Sequence, residues 1–189
     1  MSGAAKRIPS GSQTVGPFFR IGLEYLIDAA PRMRADADRA IEIRGRVVDA
    51  DGAPVPDAML EFWSGDPAFA SSHAATENVG FPPGFRRAAT DEGGAFTVVM
   101  PRPVALPFPD GRTQAPHMLV LFFARGLLRH LLTRVYFSGD PANQSDPVLL
   151  EVPAERRKTL VARAEPGQPG AYRWDVILQG QDETVFFAW

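Results

Sequence analysis

HMLVLFFARGLLRHLLTRVYF, residues His117–Phe137, decides the fold. Met118 to Ala124 is an unbroken apolar run. Such a run suits a strand buried on both faces or a buried helix, and its length and the glycine that follows favour the strand. Arg125-Gly126 then opens a short loop. From Arg129 the pattern alternates, with Leu131, Thr133, Val135 and Phe137 on one face and His130, Leu132, Arg134 and Tyr136 on the other. The stretch is therefore a hairpin of two core strands. Arg134 sits among apolar neighbours, and burying an unpaired charge costs several kcal/mol. Either it pairs with a carboxylate of the protein or it awaits an anionic ligand.

Outward from this hairpin the chain keeps a β character. Ile41–Ala50 alternates, and Asp51-Gly52 is a turn signal. Asp57–Ser64 is a second strand, with Glu61 and Trp63 in phase. Residues 65–86 read as a long loop, Thr90–Gly94 as a turn, Ala95–Met100 as a strand and 101–116 as a proline-rich loop. Ser138–Asp146 is a polar loop. Pro153–Ala164 is the best helix candidate, because proline stands early and Leu160 and Val161 can face inward. Ala171–Gln179 and Thr184–Phe187 are closing strands. The 17 glycines and 18 prolines lie between apolar runs, as turns between short strands do. The expectation is an all-β chain, a β-sandwich with long loops and one short helix. Residues 1–40 show no strong period and form an extended arm that packs on the domain or on a partner chain. Residues 41–189 form the sandwich domain.

Composition narrows the function. A length of 189 residues suits one domain with a proper core, and a net charge of −2 gives no case for nucleic acid or an anionic membrane. The chain has no cysteine, so disulfide and thiolate chemistry are excluded. No signal peptide or membrane-length apolar run stands out, and the expectation is a soluble, cytoplasmic protein. The three histidines, His73, His117 and His130, form no metal-binding pair by spacing. His117 opens a strand after Ala115-Pro116, where a histidine can simply fix the junction by a backbone hydrogen bond. Tyr136 and Tyr172 fit core packing. Among Glu61, Asp91, Asp175 and Glu183 no catalytic pair can be picked out, and Glu61 is best placed for an ion pair with an arginine. Arg134 is the strongest functional candidate.

Five segments together carry a family resemblance: SQTVGPFF (Ser12–Phe19), GRVVDADGAPVPDAMLEFW (Gly45–Trp63), TDEGGAFT (Thr90–Thr97), the opening stretch with its preceding Ala115-Pro116, and AYRWDVILQGQDETVFF (Ala171–Phe187). They resemble α subunits of the protocatechuate 3,4-dioxygenases, within the intradiol ring-cleaving dioxygenases. The first strands alone also suit transthyretin-like binding modules, which need neither the arm nor the tail.

The resemblance implies an intradiol-type sandwich, aromatic catabolism through the β-ketoadipate pathway, and a homologous β subunit in a higher-order αβ oligomer. It implies that β holds ferric iron through two tyrosines and two histidines. Protocatechuate and O2 then give 3-carboxy-cis,cis-muconate. Here His117 matches the first ligand histidine and Leu119 replaces the second. The loops expected to carry the tyrosines, 64–87 and 101–116, contain none. This chain is expected to hold no metal and no catalytic residue of its own. Instead, Thr14, Gly16 and Pro17 of the arm and Arg134 would line the substrate pocket at the α–β interface. Arg134 would meet the substrate carboxylate.

Overall fold

The computed structural model describes residues 11–14, 16, 40–67 and 84–188. Most of the proposed arm, including Pro17, and loop residue His73 lie outside them.

The architecture is two leaves joined at one edge. The first leaf has β1 (Ala40–Val48) paired antiparallel with β4 (Ala95–Pro101) and parallel with β10 (Ala171–Arg173) and β11 (Val176–Ile177). The second has β3 (Phe85–Ala89), β2 (Met59–Trp63), β7 (His117–Phe123) and β8 (Leu131–Phe137), all antiparallel. β9 (Val161–Ala164) joins them, parallel to β8 and antiparallel to β10. Two residue pairs, β5 (Leu106–Pro107) and β6 (Thr113–Gln114), form a small ladder inside the proline-rich loop.

Period-two alternation puts one side of each strand between the leaves. Ile41, Ile43, Phe96, Val98 and Met100 from one leaf meet Leu60, Phe62, Met118, Val120, Phe122 and Val135 from the other. Trp174 stands edge-on to Phe62 and Phe96 at the centre. Gly45 permits this approach, since a Cβ there would lie 1.8 Å from the Trp174 carbonyl oxygen.

Four sequence expectations need correction. Pro153–Ala164 is not a helix: Arg157–Leu160 makes a 3-10 turn and Val161–Ala164 is β9. Its backbone finds ladder partners on two sides, at Tyr136 and Phe137 of β8 and at Arg173 and Tyr172 of β10. The short helix is α1 (Pro147–Glu151), started by the side chain of Asp146 and by proline at its first turn. The loop expected at 65–86 ends earlier, because Phe85–Ala89 pairs with β2 throughout. The closing segments are interrupted. Ala171–Gln179 splits into β10 and β11, and Thr184–Phe187 contributes a single bridge, Leu132 to Phe187. His130 precedes β8 and packs its ring on Phe123, so it does not share a strand face with Arg134.

Candidate functional site

The candidate site lies on the outer face of the second leaf. Residues that point away from the core here are Trp63, Leu119, Leu121, Leu132, Arg134 and Tyr136. Register sets them in rows. Phe85, Trp63, Leu119 and Arg134 stand side by side across β3, β2, β7 and β8. The next row is Arg87, Glu61, Leu121 and Leu132. On the other side of Arg134's row, His117 faces Tyr136. Trp63 is 40% and Leu119 37% exposed, so this face of β7 is apolar yet open to solvent in the single chain. The unbroken apolar run of the sequence is explained by an outer face that is apolar without being covered within this chain.

Two arginines on this face are treated differently. Arg87 forms the ion pair that the sequence assigned to Glu61. Both side chains are nearly buried, and the two charges cancel. Arg134 has no carboxylate within ion-pair distance among the described residues. Its Nη1 donates to Gln114 Oε1 at 2.9 Å and to the Tyr136 hydroxyl at 3.3 Å, both neutral groups. The guanidinium is half-buried, oriented and still carries its full charge.

Behind Arg134 lies a buried network that starts at Asp146. One oxygen of this fully buried carboxylate accepts from Val148 N at 2.9 Å, Leu149 N at 2.7 Å and the Tyr136 hydroxyl at 3.0 Å. The other accepts from Ala115 N at 2.8 Å. Asp146 thus ties the start of α1 to the residue pair before β7 and to β8. Ala115, Tyr136, Leu149, Val152 and Leu160 pack around it as a small apolar cluster. Burial pushes the Tyr136 hydroxyl far above its ordinary pKa of 10.0, so it remains protonated.

His117 fixes the junction before β7 by a backbone hydrogen bond. Its Nδ1 lies 2.7 Å from the Ala115 carbonyl oxygen. A carbonyl can only accept, so Nδ1 carries the proton and Nε2 the lone pair. A backbone carbonyl in this role is the usual means of orienting a ligand histidine. The donor set ends there. Leu119 has no lone pair, Tyr136 is a buried neutral phenol bound to Asp146, and no cluster of three or more His, Cys, Asp or Glu exists among the described residues. Ferric iron, which needs anionic oxygen donors, does not fit these residues.

His117 nevertheless makes stability depend on pH. Burial holds its pKa below the ordinary 6.5, with Arg134 acting in the same direction and the Ala115 bond opposing. The folded chain protonates this imidazole only at lower pH than the unfolded chain, which takes up its proton near pH ~6.5. The contribution is therefore fully present above that pH and is lost as pH falls below it, at up to ~1.4 kcal/mol per pH unit. Urea titrations between about pH 7 and 5 should show wild type losing stability more steeply than His117→Phe. Parallel slopes would show that another group controls acid stability.

The structure does not gather all the expected substrate-binding residues at one place in the chain. Thr14 Oγ1 accepts from Gly126 N at 3.1 Å, which ties the arm to the β7–β8 loop. Gly16 adopts φ +65°, where glycine is favoured, and a Cβ there would meet nothing within 4 Å. Arg134 lies three residues into β8 from that loop, roughly 10 Å away along the strand. Beside Thr14 is a cleft of about 640 Å³, with Gln13, Phe123, Leu127, His130, Leu132 and Phe187 in its walls. Gln114, Tyr136 and Asp146 join the site as residues the sequence did not single out for it. Only Asp146-Pro147 had a visible signal, the pairing of a capping side chain with proline at a helix start.

Residues 26–180 match a family described as dioxygenase. The chain is 45% identical over 195 aligned residues to the protocatechuate 3,4-dioxygenase alpha chain of Burkholderia cepacia, covering 93% of this chain and 95% of that one. The chain belongs to the intradiol dioxygenase family. Within that family it is less similar to the protocatechuate 3,4-dioxygenase beta chain of the same organism, at 28% identity over 76% of this chain and 66% of that one. Among solved structures of intradiol dioxygenases, 3-chlorocatechol 1,2-dioxygenase from Rhodococcus opacus 1CP superposes with a TM-score of 0.59. It is 20% identical and the match covers 93% of this chain and 69% of that chain, a likeness of fold.

Proposed function

We propose that this chain is the α subunit of a heteromeric protocatechuate 3,4-dioxygenase. It completes a substrate pocket whose iron is held by a homologous β chain. The observation that carries the reading is the full-length likeness to an α chain, set against the weaker likeness to the β chain of the same organism. The geometry supports it twice. By the family resemblance His117 stands at the first ligand-histidine position and Leu119 at the second, and the described residues contain no group of three or more His, Cys, Asp or Glu that could hold a metal. Arg134, oriented by neutral partners, offers a fixed cation to an aromatic carboxylate. The reaction served is the O2-dependent opening of protocatechuate between its two hydroxyl-bearing carbons, giving 3-carboxy-cis,cis-muconate. The chain's own part is to bind and orient. Arg134 meets the carboxylate, Thr14, Gly16 and Pro17 of the arm close the pocket edge, and the open apolar face of Trp63 and Leu119 is covered in the assembly.

Co-expression with the β chain tests this directly. The complex should take up oxygen with protocatechuate and contain iron in proportion to β. This chain purified alone should contain none and lack visible tyrosinate-to-iron absorption. Stoichiometric iron and a burgundy colour in the pure chain would overturn the assignment.

A further inference from the structure

Arg134 is held by a chain of groups with a fixed direction. Asp146 is buried and saturated: besides Tyr136 it takes three backbone N–H groups, from Ala115, Val148 and Leu149. The Tyr136 hydroxyl gives its one proton to Asp146 Oδ1 at 3.0 Å. Its oxygen is left only as an acceptor, and the donor it receives is Arg134 Nη1 at 3.3 Å. On the other side, Gln114 Oε1 accepts from the same nitrogen at 2.9 Å. One phenol therefore stands between the buried carboxylate and the guanidinium. Arg87 on the same face shows the alternative, since it meets Glu61 directly and its charge is cancelled.

We infer that Tyr136 and Asp146 are positioning residues for Arg134, and that Tyr136 orients the guanidinium without neutralising it. The inference rests on the reading above, in which Arg134 meets the carboxylate of an aromatic acid. A free arginine side chain is among the costliest to immobilise. One already held in place gives up less freedom when an anion arrives. An acidic holder would do this at the expense of the charge. A neutral phenol, anchored by a carboxylate whose own charge is absorbed by three backbone donors, does it while leaving the charge available. Gln114 supplies a second neutral acceptor, so among the described residues no carboxylate meets Arg134 before that of the ligand does.

The test uses the αβ complex and two variants that act in opposite ways. Tyr136→Phe keeps the ring in its packed site and removes only the hydroxyl. KM for protocatechuate should rise about fivefold, with kcat and the KM for catechol within about twofold. Gln114→Glu places a carboxylate against the guanidinium and should raise the same KM by more, about tenfold or above, again without affecting catechol. In an Arg134→Ala background neither change should have a further effect on KM, because both act through that side chain. If Arg134→Ala raises KM for protocatechuate and Tyr136→Phe does not, the positioning role is wrong while the assigned function stands. If the two variants keep their full effects without Arg134, they act independently and the inference fails. If Arg134→Ala itself changes nothing, the inference falls together with the assignment of Arg134 to the substrate carboxylate.

Discussion

Replacing Arg134 with alanine in the αβ complex is expected to raise KM for protocatechuate by about 30- to 100-fold, or ~2–3 kcal/mol, while leaving KM for catechol within about twofold. The two compounds differ in the carboxylate, so the ratio of the two effects isolates the charge contact. The size follows from the setting. The guanidinium is partly shielded by the protein, has no carboxylate within ion-pair distance among the described residues, and is held by two hydrogen bonds to neutral groups. A charge-assisted, two-point contact to a carboxylate is worth more there than on an open surface. Arg134→Lys should recover only part of the loss, since an ammonium cannot present the planar fork. The fold should tolerate the change, because the bonds removed end on Gln114 and Tyr136 and no buried counter-charge is left behind. Steady-state kinetics with both substrates settle the matter. Equal losses on protocatechuate and catechol would make Arg134 a structural residue.

What could be foreseen from the residues was what alternation and turn chemistry encode. β1, β2, β4 and the β7–β8 hairpin stand out because one face of each is apolar and the breaks between them carry glycine, proline and aspartate. The Glu61 ion pair was visible as a carboxylate within an apolar strand, although its partner Arg87 was not. β3 was hidden because Phe-Arg-Arg-Ala-Ala has little strand character by itself; it becomes a strand through pairing with β2. The misplaced helix has the opposite cause. Leu160 and Val161 fit a helical face, but neighbours on both sides of Val161–Ala164 offer ladder bonds that a helix there would forfeit. In the site, Arg134 and His117 could be singled out within one segment. Gln114 could not be, and Asp146 was visible only as a helix cap, because each reaches Arg134's neighbourhood from a loop whose course only the folded chain fixes. Thr14 touches the loop end of the hairpin while Arg134 lies midway along β8, and no periodicity links Thr14 to Gly126, 112 positions further on.

Asp146→Ala should be among the most destabilising single changes in the chain, at ~3–5 kcal/mol. Asp146 is 0% exposed and accepts from four donors that belong to three separate parts of the fold. Truncation leaves the backbone N–H groups of Ala115, Val148 and Leu149 and the Tyr136 hydroxyl without their acceptor. An unsatisfied buried donor costs about 1–3 kcal/mol, and a water entering the vacated space would offset part of the sum. Asp146→Asn is the sharper comparison. It keeps the volume and one acceptor oxygen, so the bonds to Val148, Leu149 and Tyr136 can persist. Its amide nitrogen would then face the Ala115 N–H, donor against donor. A loss smaller than that of alanine but still well above ~1 kcal/mol is expected. Urea unfolding would show this as a lower midpoint with little change in slope, and thermal unfolding as a fall of roughly 10 °C for the alanine variant. The positioning role makes a further demand. In Asp146→Asn the oxygen facing Tyr136 is retained, so the guanidinium should stay in place and KM for protocatechuate should move less than in Tyr136→Phe, despite the larger loss of stability. A KM that instead follows stability across these variants would make the network a scaffold alone, with no separate hold on Arg134.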